Sequence, residues 1–185
     1  MDSNITTTGI LRRVDELGRV VLPKEIRKSL RIKETDLLEI YRDREGSVIL
    51  RKHSPLQEAF TLAKQCADNL AKVSGYIALI ADRDQVIAVS GGGKIFCGAT
   101  LSRHLENVIN ERETLLSSKE ESGFVPLFEG KTADYCQEAV TPILCRGDVI
   151  GCVILLGEEA GKKMKEAEEK LIRLTAGFLG CNVLE

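Results

Sequence analysis

No apolar run in the chain approaches the ~20 residues that a bilayer span requires; the best, Val149 to Leu156, has the length of a buried strand. The opening MDSNITTT carries neither a basic segment nor an apolar core, so no signal peptide is read there and the cytoplasm is the expected compartment. Six cysteines (66, 97, 136, 145, 152 and 181) include no C-x-x-C pair, and the only histidines are His53 and His104. Zinc ligands normally sit two to four residues apart, so this scarcity argues against a metal centre. In a reducing compartment the cysteines read as small buried hydrophobes. Gly91-Gly92-Gly93-Lys94 lacks the glycine at 88 and the hydroxyl at 95 of a phosphate loop, and reads as plain loop. No arrangement of nucleophile, base and acid emerges. The chain is expected to be no enzyme and to need no cofactor.

What is present is charge, unevenly spread. The 185 residues are 43% apolar and 29% charged, with a net charge of −2, the composition of an ordinary globular protein. Residues 1–54 hold 12 Lys+Arg and 9 Asp+Glu, net +3; residues 55–185 hold 14 and 19, net −5. Polyanion binding is therefore expected of the head alone. Arg12, Arg13, Arg19, Lys24, Arg27 and Lys28 fall within 17 residues, with Asp15, Glu16 and Glu25 as the acids among them. That is the electrostatic footprint of a phosphate-backbone binder, with a solvated, self-paired charged face as the plainer alternative.

The head reads as strands around one short helix. Gly9 to Val14 and Arg19 to Leu22 are expected as strands, with a turn at Asp15 to Gly18. Pro23 suits the first helical position, and the helix Lys24 to Leu30 is expected to bury Ile26 and Leu30. Lys33 to Asp36 turns the chain. Leu37 to Tyr41 and Val48 to Lys52 form a hairpin over Asp43-Arg44-Glu45-Gly46, glycine standing where positive φ is cheap. About 50 residues bury too little apolar surface to offset chain entropy comfortably, so two copies are expected to share one core.

Ser54-Pro55 marks a boundary. A linker helix is expected over 55–74, with apolar positions at Leu56, Ala59/Phe60, Ala63, Cys66/Ala67, Leu70 and Val73. The last helix, about Glu159 to Cys181, repeats the spacing with Met164, Ala167, Leu171, Leu174, Phe178 and Cys181. Both suit a helix bundle, or equally a helix laid on a sheet. Between them stand two hairpins, Tyr76 to Ala81 with Gln85 to Val89, and Glu138 to Leu144 with Val149 to Leu156. An amphipathic helix is expected over Thr100 to Arg112. The segments 91–99 and 113–137 read as irregular. The class is α+β.

The string TGILRRVDELGRVVLPKEIRKSLRIKETDLLEIYRDREGSVILRKHSP, above all D-E-L-G-R-V-V-L-P with the basic helix after it, closely resembles the swapped-hairpin domain of the AbrB family of bacterial transition-state regulators. Less specifically, YIALIADRDQVIAVSG (76–91) and PILCRGDVIGCVIL (142–155) resemble a GAF domain. The resemblance implies domains at 1–54 (AbrB-type, DNA-binding), 55–74 (linker helix) and 75–185 (GAF-like, regulatory and oligomerising). It implies a β-barrel-like head dimer made by exchanging strands, followed by a GAF-like α/β sandwich.

For function, it implies a transcriptional regulator of sporulation at the nucleoid, tetrameric through its helices and GAF domains. The partners implied are double-stranded promoter DNA and an unidentified small molecule in the GAF domain. Carried over by position, Arg12, Arg19, Arg27 and Lys28 would contact DNA, with Arg13 and Lys24 beside them. Lys28 stands where relatives often have arginine, and a lysine loses the bidentate fork. The head contains no helix-turn-helix pair, so binding through backbone contacts and DNA deformability is expected, with loose sequence preference. Two rivals remain at this point, an antitoxin built on the same head and a GAF-type methionine sulfoxide reductase that uses cysteine.

Overall fold

The computed structural model describes residues 9–34, 36–92, 94–130, 135–159 and 163–183 and divides into two compact units, Met1–His53 and Ser54–Glu185.

In the first unit the chain enters extended, turns at 15–18, and forms helix α1 (Lys24–Ser29). Strands β1 (Leu38–Arg42) and β2 (Val48–Lys52) then pair antiparallel, with Ile40 opposite Leu50. Asp43 Oδ1 closes their turn by accepting from the N–H groups of Glu45 and Ser47. Two expectations fail here. Gly9 to Val14 and Arg19 to Leu22 form no ladder in the single chain, because a strand needs a neighbour to take its N–H and C=O groups. Helix α1 buries nothing completely: Ile26 is half-buried and Leu30 is exposed. Polar staples hold the unit instead. Lys52 Nζ lies 2.9 Å from Asp36 Oδ2 and donates to the Arg31 carbonyl. His53 Nδ1 lies 2.7 Å from Glu39 Oε1, an acid partner that the sequence did not suggest.

The second unit is a five-stranded antiparallel sheet in the order β4-β3-β7-β6-β5. Its strands are β3 (Ile77–Asp82), β4 (Val86–Ser90), β5 (Leu115–Ser118), β6 (Gln137–Cys145) and β7 (Asp148–Gly157). Alternation sorts their side chains onto two faces. Ala78, Ile80, Ala139, Val153 and Leu155 face helices α3 (Phe60–Ser74) and α5 (Glu166–Asn182), which lie side by side. Leu79, Val140, Ile154 and Leu156 face helix α4 (Arg103–Asn110), a short 3₁₀ turn at Lys94–Phe96, the loop residues Phe124 to Phe128, and Tyr135. The β6–β7 turn is two residues, Arg146 at φ +50° and Gly147 at φ +91°, the mirror-image geometry that matches strand twist.

Several boundaries move. The expected linker helix breaks at Ala59 into α2 (Pro55–Glu58) and α3, and both belong to the second unit. A buried carboxylate, Asp82, fastens its start: Oδ2 accepts from Gln57 Nε2 at 2.7 Å and from Ser54 Oγ at 3.2 Å. Ser102 caps α4 and delays its first turn, because Thr100 and Leu101 are taken by bridges to Gln85 and Phe128. Strand β5 lies inside a segment expected to be irregular. Helix α5 starts at Glu166; part of the expected first turn, 160–162, lies outside the described residues, as does Gly93.

Candidate nucleic-acid interface

All six cations expected to meet DNA are exposed on the first unit. Arg12 and Arg13 stand on the extended entry, Arg19 just after the turn, and Lys24, Arg27 and Lys28 on α1. The turn is built by one side chain. Asp15 Oδ1 accepts from the N–H groups of Leu17 (3.0 Å) and Arg19 (2.8 Å), while Oδ2 accepts from Arg19 Nε (2.7 Å). Gly18, at φ +76°, lets the chain double back so that its N–H reaches the Asp15 carbonyl. The Arg19 N–H and guanidinium together hold the Asp15 carboxyl below its usual range. Arg19 is thus aimed by its own turn, with its two Nη groups free to donate outward. Among the described residues, Arg19 is the one of the six tied within the chain; the other five project without an ion pair. The sequence offered Asp15 as a turn residue and, in the self-paired alternative, as a partner for the cations; here it does both, pairing with and positioning Arg19. The D-x-x-G spacing was the available signal.

The same unit displays its apolar residues in the wrong place for a monomer. Among the described residues, nineteen large hydrophobics are exposed, and thirteen of them, from Ile10 to Leu50, are here. None of the fully buried large side chains is. Leu11, Val21, Leu37 and Ile40 are each at least 70% exposed. Burying one such side chain is worth about 1.5–3 kcal/mol, so a second copy has much to gain by covering them.

Other sequence candidates do not assemble into a site. His104 is exposed on α4, and Gly91 packs tightly against the Tyr76 carbonyl in a turn. Cys145 and Cys152 are buried on strands, as expected, but the expectation fails for the other cysteines: Cys97 and Cys181 are exposed, and Cys66 and Cys136 are half-buried. Burial pushes the Cys152 thiol far up, with Asp82 adding to it, so its thiolate is scarce. Burial raises the Cys66 thiol as well.

Comparison with known proteins places both units. Residues 58–183 match the family model of the stage V sporulation protein T C-terminal, transcription factor. Residues 11–58 match the model of antidote-toxin recognition MazE, bacterial antitoxin. Stage V sporulation protein T of Bacillus subtilis (strain 168) is 45% identical over 173 residues, covering 93% of this chain and 95% of that protein. The transition state regulatory protein AbrB of the same organism is 47% identical over 73 residues, 40% of this chain and 75% of that protein. Among solved structures, the GAF domain/HD domain protein from Geobacter sulfurreducens superposes with a TM-score of 0.54 at 19% identity. It covers 68% of this chain and 91% of that one, a likeness of fold that agrees with the five-stranded sheet and its helix layer.

Proposed function

The chain belongs to the stage V sporulation protein T family, and from that premise we propose how a DNA-binding regulator of sporulation of this build works. Two AbrB-type heads exchange strands into one core, and the pair grips duplex DNA with Arg12, Arg13, Arg19, Lys24, Arg27 and Lys28 of each copy. The observation that carries this is the pairing of six exposed cations with thirteen exposed hydrophobic residues in one small unit. The first set needs a polyanion and the second needs another copy. Those twelve cations, six from each copy, release counterions with a log–log salt slope near −0.9 per phosphate neutralised. Contacts of this kind position the protein while leaving sequence preference loose, set by DNA deformability.

The GAF-type body, in this reading, joins dimers into a tetramer and receives a small molecule. It is a regulator rather than an enzyme, working in the cytoplasm at the nucleoid. The antitoxin reading shares the head; the folded body matched by the sporulation model over 58–183 separates the two. The redox reading needs an accessible low-pKa cysteine pair; Cys145 and Cys152 are buried, so it would fall to the exposed Cys97 and Cys181, which thiol titration of the folded protein tests.

Fluorescence anisotropy of a labelled promoter duplex tests the grip. Arg19→Ala should weaken binding by about tenfold or more, the cost of a charge-assisted contact, and flatten the salt slope by about one unit. Its oligomeric mass should not change. Unaltered affinity and slope would remove Arg19 from the interface.

A further inference from the structure

Two polar atoms in the apolar layer beneath α4 have no partner. Glu138 on β6 is fully buried, and its Oε1 accepts from the Val125 N–H at 2.8 Å while Oε2 is unpartnered. Ser117 stands directly opposite on β5, also buried, and its Oγ is likewise unpartnered. Register puts both on the face that Val140 shares with α4 rather than on the helix-pair face. The loop passes near Ser117: a Cβ on Gly123 would sit 3.5 Å from its Oγ, an ordinary contact distance.

The surroundings are aromatic. Tyr135 packs against Phe124 with centroids 5.4 Å apart and against Phe96 at 6.4 Å. Burial, with Glu138 adding to it, raises the Tyr135 phenol, whose hydroxyl accepts from the Leu127 N–H. No lysine, arginine or histidine is buried among the described residues of this layer. An ionised carboxyl, a hydroxyl and ring faces can each meet a cationic donor. Buried polar atoms left open in this way are costly unless something satisfies them.

The geometry points to Glu138 and Ser117 as the recognition pair for a small organic cation, its ammonium or guanidinium group donating to Glu138 Oε2 and Ser117 Oγ and its body lying against Tyr135 and Phe124. This rests on the small-molecule reading of the body given above, and it supplies that molecule's chemistry. Burial holds the Glu138 carboxyl up at about 8, with the Val125 N–H opposing. A bound cation would therefore ionise it near neutral pH.

The test uses the full-length protein with methylammonium, butylammonium and benzylammonium, each paired with its neutral alcohol, and with benzoate as the anion. Calorimetry should show at least one ammonium ion binding about tenfold or more tightly than its alcohol. Benzoate should not bind. Glu138→Gln, which preserves shape, should abolish that preference, and Ser117→Ala should weaken it several-fold. Carbon-13 NMR of the Glu138 carboxyl at pH 7 should report loss of its proton on binding. Equal responses of wild type and Glu138→Gln across the series, or a carboxyl that stays protonated, overturn the inference.

Duplex retardation separates this from the broader reading. Cation binding with unchanged DNA affinity supports the site and removes sensing. A neutral or anionic molecule that co-purifies with the wild type, but not with Glu138→Gln, overturns the cation chemistry and leaves sensing in place.

Discussion

At the scale of single residues, two carboxylates define what this chain can do, and neither stood out by sequence. Asp15 sits in a charge-rich string and reads as one acid of a turn, yet it takes three hydrogen bonds that fix that turn and an arginine. Glu138 precedes an apolar run and looks like the solvent side of a strand, yet it is fully buried. Its burial has a thermodynamic signature. The carboxyl keeps its proton to about pH 8 in the fold, but only to its ordinary 4.5 when unfolded. Between those values the folded state holds the extra proton, so stability falls as pH rises, by up to about 1.4 kcal/mol per pH unit. The contribution is complete below 4.5 and lost above 8. Glu138→Gln should flatten this dependence and be more stable than wild type at pH 8. Urea midpoints of the body transition at pH 5, 6.5 and 8 measure it; parallel curves for the two proteins would mean that the carboxyl is hydrated in solution.

The helices show how far periodicity carries and where it stops. Spacing located α3 and α5 but could not choose between bundle and sheet packing, and both uses are present. Ala63, Ala67 and Leu70, with Ile172, Ala176 and Leu179, go against the sheet. Phe60 and Val73, on different sides of α3, are left exposed, as are Leu174 and Phe178, one turn apart on α5, at 72% for Leu174. The strands of the body were legible because runs of branched residues end at turn residues; β5 was not, being four residues ending in two serines. Small residues were silent in the sequence as well. Gly180 lets α5 settle onto β6, where a Cβ would lie 2.0 Å from the Leu144 carbonyl oxygen. Gly180→Ala should destabilise the body by about 1–3 kcal/mol or more through overpacking. A denaturation midpoint within error of wild type would show that the helix can slide. The exposed pair on α5 fits the tetramer proposed for this chain. Replacing Leu174 and Phe178 together by glutamate should convert tetramer to dimer in light scattering, with the body still folded. A mass unchanged by the double substitution would assign the bodies' contact to another face.

For the whole molecule, the division of charge and the division of burial coincide. The head, net +3, leaves its hydrophobic residues outside, while the body, net −5, encloses two complete apolar layers. The AbrB-type pattern was legible in the order of its charged and apolar residues, but among the described residues the head encloses no apolar core in the single chain. A unit whose core exists only between copies must unfold with a midpoint that depends on concentration, since dissociation and unfolding are one event. In the Leu174/Phe178 double variant, where the bodies no longer associate, the two transitions should separate. The head's midpoint should rise with protein concentration from the micromolar range upward, while the body's stays put. Tyr41 reports on the head and Tyr76 and Tyr135 on the body, so replacing Tyr41 by phenylalanine assigns the signals. A head transition that ignores dilution would mean that thirteen exposed hydrophobic residues find cover within one chain, and the shared scaffold that aligns the arginines would then have no basis.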